Sequence, residues 1–256
     1  LAVESNQPKF LIIAHRGESF EAPENTSASV NLAWQNNDEA VEIDVRLSGD
    51  KKIVVIHDAT TKRTGDFNKR IVKTPLKILR KIDVGIFKGE RWRNEKIPTL
   101  EEILKNMPPG KILFIEIKSN KNIIENFVKL FRKINPDANS VKIISFNFRV
   151  LKLLKMKLPQ FEYYLLYQQK LPFYFQTIDS LITKVKKAGL DGLDLDYRMI
   201  KSENRVKKIK KENLKLIVWT VNNFETAIKL KQWGVDGITT DKAKLLREFL
   251  SKKGTK

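Results

Sequence analysis

The stretch VEIDVRLSGDKKIVVIH, residues 41–57, decides the fold. Its two halves, Val41–Arg46 and Ile53–His57, are rich in β-branched residues and of strand length. Only Leu47–Lys52 separates them, with Gly49-Asp50 near the centre. A parallel crossover needs a dozen residues or more, so these two strands are predicted to pair as an antiparallel hairpin. Outward from the hairpin the pattern changes. Strand-like runs at Phe10–His15, Ile112–Ile117, Val141–Phe146, Glu162–Leu166, Leu190–Leu195, Leu216–Val221 and Gly237–Thr240 are separated by helix-length amphipathic segments. Examples of the latter are Thr26–Asn36, Ile123–Ile134, Phe148–Lys155, Ser180–Ala188, Ser202–Glu212 and Phe224–Trp233. Alternation of this kind indicates an α/β fold of parallel strands joined by helical crossovers. With Ile53–His57 set aside as the hairpin's return, eight strands remain, the number that closes a (β/α)8, or TIM, barrel.

The 256 residues suit one barrel of this kind, which typically needs about 250. The expected organisation is a single domain over 1–256, with a hairpin strand after the second barrel strand and an insertion at about 58–98 before the third. That insertion lacks clean periodicity and carries Gly65, Pro75, Gly85, Gly89 and Pro98, with a short helix expected near Leu76–Ile82. Thr99 then reads as the N-cap of a helix over Thr99–Lys105, with Glu101 and Glu102 in its first turn. The tail Ser251–Lys256 reads as frayed.

Composition narrows the function. Absence of cysteine excludes a disulfide framework, a thiolate metal site and a cysteine nucleophile. No apolar run approaches the roughly 20 residues of a membrane-spanning helix. A chain starting at Leu1 leaves room for a removed leader, and the compartment stays open between periplasmic or secreted and cytoplasmic. The net charge of +19 invites a nucleic-acid reading, but the basic runs Lys152–Lys157, Lys184–Lys187 and Arg205–Lys215 are interleaved with apolar residues at helical spacing. They read as solvated helix faces, which leaves the charge to attract anionic substrates or a membrane surface.

Barrel enzymes work at the C-terminal ends of their strands. The chain's two histidines both fall there, in His15-Arg16-Gly17 and His57-Asp58. Histidine suits proton transfer near neutrality, its unperturbed pKa being about 6.5. Alternation along a strand puts Glu42 and Asp44 on one face, and Glu116 and Lys118 on one face of another strand. The hairpin is expected to bring His57 level with about Glu42. Three carboxylates together resist ionising, and a divalent cation with hard oxygen ligands, Ca²⁺ or Mg²⁺, relieves that. Arg16 offers a planar fork for phosphate and Lys118 a point charge. Metal, arginine and lysine around one spot point to a phosphodiester.

His15-Arg16-Gly17, Pro23-Glu24-Asn25-Thr26, Glu42-Ile43-Asp44-Val45, His57-Asp58 and Glu116-Ile117-Lys118, in this order and spacing, resemble the glycerophosphodiester phosphodiesterase family. Arg63-Thr64, Ile97–Glu102, Ser145-Phe146, Trp219–Asn222 and Gly237–Asp241 extend the resemblance nearly end to end. It implies a barrel hydrolase with His15 and His57 as the acid–base pair, Glu42, Asp44 and Glu116 holding one divalent cation, Arg16 and Lys118 binding phosphate, and Trp219 lining the pocket near the glycerol. The chain departs from the family at Asn36–Glu39, ahead of Glu42, and at Asp241–Ala243. Two other readings compete with hydrolysis of glycerophosphodiesters. One is phospholipase D-like cleavage of lysophospholipids on the same barrel, disfavoured because the toxins that use it depend on disulfides. The other is an inactive basic binding module, which has no need of both histidines with all three carboxylates.

Overall fold

Each apolar run becomes a strand in the computed structural model, which describes residues 10–169 and 176–253. The strands are β1 (Leu11–His15), β2 (Ala40–Leu47), β3 (Ile53–Val55), β4 (Ile112–Ile117), β5 (Val141–Ser145), β6 (Glu162–Tyr167), β7 (Gly192–Asp196), β8 (Lys215–Trp219) and β9 (Gly237–Thr240). Pairing runs β1-β9-β8-β7-β6-β5-β4-β2 and returns from β2 to β1, all parallel, so eight strands close a barrel. β3 lies outside the ring, antiparallel to β2: β1 takes Ala40–Glu42, and β3 takes over at Val45–Leu47.

Helices wrap the ring: α1 (Ser27–Gln35), α2 (Leu76–Leu79), α3 (Leu100–Lys105), α4 (Ile124–Ile134), α5 (Phe148–Lys157), α6 (Ile178–Lys187), α7 (Glu203–Lys211), α8 (Phe224–Gln232) and α9 (Ala243–Lys253). Two apolar layers result, which is why the strands read as nearly continuous hydrophobic runs. Ile13, Ala40, Phe114, Ile144, Tyr164, Leu166 and Ile217 fill the lumen. Residues of opposite parity, such as Val41, Ile43 and Leu165, pack outward against helix residues such as Val150, Leu154 and Leu181. Thr99 caps α3 as expected, its side chain accepting from the Glu102 N–H while Glu102 reaches back to the Thr99 N–H.

Two details differ from the sequence reading, the return strand and the tail, while the short helix expected near Leu76–Ile82 is present. The return strand ends at Val55, and its register (Val45 opposite Val55) brings His57 level with Ile43 rather than Glu42. The Ile56 N–H still bonds the Asp44 carbonyl at 2.9 Å, and beyond it the chain leaves the sheet. The stretch after β3 holds a single-turn helix over Leu76–Leu79 among 3-10 turns, around a core of its own made by Val54, Ile56, Ile71, Leu79, Ile82, Val84 and Ile97. The tail is helical through Lys253, because Leu246 is buried, Leu250 packs on the outer layer and Arg247 pairs with the buried Asp38. Residues 254–256 of that tail lie outside the described residues. Among the described residues no helix is long and apolar enough to cross a membrane.

Glu18, in the turn after β1, is buried. Burial and the nearby charge of Asp38 push its carboxyl up to about 7 from an ordinary 4.5. Between those values the folded chain binds more protons than the unfolded one, so this group's contribution to stability falls as pH rises. Glu18→Gln is therefore expected to melt close to wild type at pH 5 and to gain on it up to pH 8, reaching about 1–3 kcal/mol. Thermal melts across that range check this; a difference independent of pH would contradict it.

Candidate active site

The site is assembled at the C-terminal mouth of the barrel, beginning with the turn after β1. Arg16 takes a left-handed backbone conformation (φ 57°), and Gly17 follows at φ 81°. A Cβ on Gly17 would stand 2.5 Å from Ser29 Oγ, so only glycine fits. The turn aims the Arg16 N–H at Glu42 Oε2 (3.1 Å), and its carbonyl accepts from Ser29 Oγ (3.0 Å) and from the Asn25 N–H (2.9 Å). Asn25 donates from Nδ2 to Asp44 Oδ2 (2.8 Å) and accepts at Oδ1 from the Asp44 N–H (2.9 Å). Thr26 caps α1. The local motifs of the sequence are thus clamps that fix β1, β2 and α1 against one another.

Glu42, Asp44 and Glu116 are all buried, with ligand oxygens within 4.8 Å of one another. Glu42 Oε1 has no hydrogen-bond partner among the described residues. Asp44 Oδ1 and Glu116 Oε1 lie 3.2 and 2.7 Å from the Lys118 ammonium, as ion pairs rather than aligned hydrogen bonds. Burial first, and the Asp44 charge second, raise Glu42 well above the carboxylate range and Glu116 to about 7. Burial acts on Asp44 as well, but the charges of Lys118 and Arg16 outweigh it and hold that carboxyl below its usual range. Acids that resist ionising together, with buried oxygens lacking partners, are a donor set that fits a metal ion.

Each histidine is oriented by a carboxylate. His15 Nδ1 lies 2.6 Å from Asp241 Oδ1, and His57 Nδ1 lies 2.6 Å from Asp58 Oδ1. A proton on Nδ1 donated to the carboxylate leaves Nε2 of each ring to exchange protons; His15 Nε2 stands 3.9 Å from Glu42 Oε2. Burial, aided by the positive charges of Arg16 and Lys118, holds His57 below the usual histidine range against the pull of Asp44. Arg63 ties this side together, with NH1 and NH2 on Glu24 (2.6 and 2.7 Å) and Nε on Asp58 (2.7 Å).

His15, Arg16, Glu42, His57, Glu116, Lys118 and Trp219 all line one cavity of about 480 Å³, with Asp44 behind them in the acidic cluster. Its opposite wall is Ile144, Phe146, Leu166 and Trp219, with Phe146 set edge-on to Trp219 at 5.5 Å. All eight residues singled out from the sequence therefore meet. Sequence reasoning gave no role to Asp58, Asp241, Glu24 or Asp194. Asp58 adjoins a histidine and Asp241 directly follows the last strand, and the need for a carboxylate behind each imidazole was the available signal.

Arg16 is partly engaged already, with NH1 on Glu24 (2.8 Å) and Nε 3.2 Å from Asp44 Oδ2. A lysine cannot hold that pair and present a fork to phosphate at once. Arg16→Lys is expected to lose about 10- to 100-fold in kcat/KM, the equivalent of about 1.4–3 kcal/mol. Steady-state kinetics decide it, and wild-type efficiency in this variant would make Arg16 dispensable for substrate.

A barrel that sets two carboxylate-backed histidines beside a buried acidic triad and two cations is built as a phosphoester-processing enzyme. The sequence profile of the Glycerophosphoryl diester phosphodiesterase family matches residues 15–245. The chain belongs to this family, and with it to the phosphoric diester hydrolases. It is 33% identical over 267 residues to the glycerophosphodiester phosphodiesterase of Caldanaerobacter subterraneus, covering 96% of this chain and 100% of the relative. Among solved structures it is similar to an Oleispira antarctica phosphodiesterase in complex with the product sn-glycerol-3-phosphate (TM-score 0.86, 30% identity, 94% and 96% of the two chains). It is also similar to the glycerophosphodiester phosphodiesterase of Thermotoga maritima (TM-score 0.78, 26% identity, 94% and 98%).

Proposed function

We propose that this cavity hydrolyses glycerophosphodiesters to glycerol 3-phosphate and an alcohol, using a divalent cation and the two histidines. The observation that carries the reading is the convergence of two histidines, each 2.6 Å from a carboxylate, with an acidic triad, Arg16 and Lys118. The bound product in the Oleispira relative supports it. Glu42, Asp44 and Glu116 hold the cation, and their all-oxygen set favours Ca²⁺ or Mg²⁺. When bound it supplies positive charge to polarise the phosphoryl oxygens. Arg16 and Lys118 grip the phosphate, the first as a fork and the second as a point charge.

His15 then removes the proton of the attacking oxygen, and His57 delivers one to the departing alcohol as its bond to phosphorus breaks. Asp241 and Asp58 stabilise the imidazolium forms and hold Nε2 toward its task. Burial lowers the affinity of His57 for a proton, and the charge of an anionic phosphodiester beside it acts in the opposite direction. Trp219 and Phe146 shield the glycerol side from water. Residues 1–256 work as one barrel domain, with the segment of about 58–98 flanking the alcohol side through Asp58 and Arg63, next to His57.

The test is product identity. Glycerophosphocholine should yield glycerol 3-phosphate and choline. Phosphocholine with glycerol would overturn the assignment, and faster turnover of lysophosphatidylcholine would favour the phospholipase D-like reading instead.

A further inference from the structure

Outside the acidic triad and the phosphate-gripping cations, one buried group lining the cavity is left without a use. Asp194 sits on β7 with 1% of its surface exposed, and its Oδ1 has no hydrogen-bond partner among the described residues. The other orphaned atoms of cavity-lining residues, Arg16 Nε, Glu42 Oε1 and Glu116 Oε1, all belong to the cluster already described. The neighbours of Asp194 in the sheet are Leu166 on β6 and Ile217 on β8, both part of the apolar lumen. Among the described residues no side chain on the flanking strands bonds its Oδ1, and the one nearby charge is that of Glu116. Trp219 donates from its indole nitrogen to the Asp194 backbone carbonyl (3.1 Å) and leaves the side-chain Oδ1 without a partner.

A buried carboxyl oxygen without a partner destabilises the fold. Apolar residues on the adjacent strands would fill the same layer at no such cost. The carboxyl therefore points to a ligand that brings the missing hydrogen bond. The phosphate end of a substrate is fixed by Arg16 and Lys118, so the group reaching Asp194 lies on the side walled by Ile144, Leu166 and Trp219. That wall is apolar and can hold a carbon chain, but not an unpaired hydroxyl. A quaternary ammonium would offer the carboxyl no hydrogen bond, whereas a hydroxyl both donates and accepts.

We infer that Asp194 is a specificity-determining residue whose carboxyl hydrogen-bonds a hydroxyl of the glycerol moiety, so that the cavity selects glycerol phosphates over their deoxy analogues. The inference rests on the glycerophosphodiester reading above. A site built around a buried polar group rejects a ligand lacking its partner, because the group is then left desolvated and unpaired.

The experiment compares inhibition by sn-glycerol 3-phosphate with inhibition by n-propyl phosphate, which lacks both hydroxyls, against hydrolysis of glycerophosphocholine. Each ratio of inhibition constants is taken within one preparation, so incomplete folding cancels. Wild type should prefer glycerol 3-phosphate by about 10-fold or more, the worth of one well-made buried hydrogen bond. Asp194→Leu should lose that preference while binding propyl phosphate as well as wild type does. Asp194→Asn, which can still donate and accept, should keep most of it. An unchanged ratio in Asp194→Leu overturns the inference. So does loss confined to glycerophosphocholine relative to glycerophosphoethanol, which would mean that Asp194 reads a cationic head group. A wild type that neither cleaves glycerophosphocholine nor binds glycerol 3-phosphate would instead overturn the underlying reading, and the inference with it.

Discussion

Glu42→Gln is expected to lose roughly a thousandfold in kcat, the equivalent of about 4 kcal/mol, and to lose its response to divalent cations. Glutamine keeps the shape of the side chain but removes a charged ligand from the triad of Glu42, Asp44 and Glu116. Folding should not suffer. Burial and the Asp44 charge already disfavour ionised Glu42 in the metal-free site, so a neutral amide relieves repulsion there. Metal-free Glu42→Gln should melt at or above the wild-type temperature, and the upward shift that Ca²⁺ or Mg²⁺ gives wild type should shrink or vanish. Activity within tenfold of wild type, with the metal-induced shift intact, would contradict the assignment.

The histidines should separate by leaving group. General acid–base residues contribute about 10²- to 10⁴-fold each. If His57 protonates the departing alcohol, His57→Ala should lose a factor in that range on glycerophosphocholine. A glycerophosphodiester of p-nitrophenol, whose leaving group needs no proton, should recover much of the loss. His15→Ala should fall by a similar factor on both substrates, because a better leaving group cannot replace the base. The geometry is symmetric, each Nδ1 resting 2.6 Å from a carboxylate, so the leaving-group dependence separates the roles where distances do not. Equal loss on both substrates for both variants would contradict the division, and rescue of His15→Ala alone would reverse it.

The barrel was legible because its strands bury both faces. Runs such as Ile112–Ile117 need no partner information to be seen, and the short connection Leu47–Lys52 admits only a hairpin. In the stretch from Asp58 to Pro98 only the short helix near Leu76–Ile82 was legible, and it is present over Leu76–Leu79. The stretch is built from 3-10 turns and a four-residue helix around seven apolar residues scattered from Val54 to Ile97, and neither helical nor strand periodicity survives that. α9 escaped notice because no strand follows it to frame it, and its hold on the barrel comes from Leu246 and the distant pair Arg247 with Asp38.

In the site, the groups that face the cavity were visible through strand alternation. The groups that orient them were not. His15 and Asp241 are 226 residues apart, and only ring closure between β1 and β9 joins them. Asp194 was hidden for another reason. In the run Leu193-Asp194-Leu195-Asp196 both acids have inward parity, and sequence alone does not tell that Asp196 is satisfied by Arg198 while Asp194 Oδ1 has no partner among the described residues.

The most direct test of the central claim is hydrolysis of glycerophosphocholine after exhaustive chelation, followed by titration with Ca²⁺ or Mg²⁺. The expected result is loss of nearly all activity on chelation and its return with one equivalent of bound cation, with glycerol 3-phosphate and choline as products. Full activity in the metal-free enzyme would contradict the account.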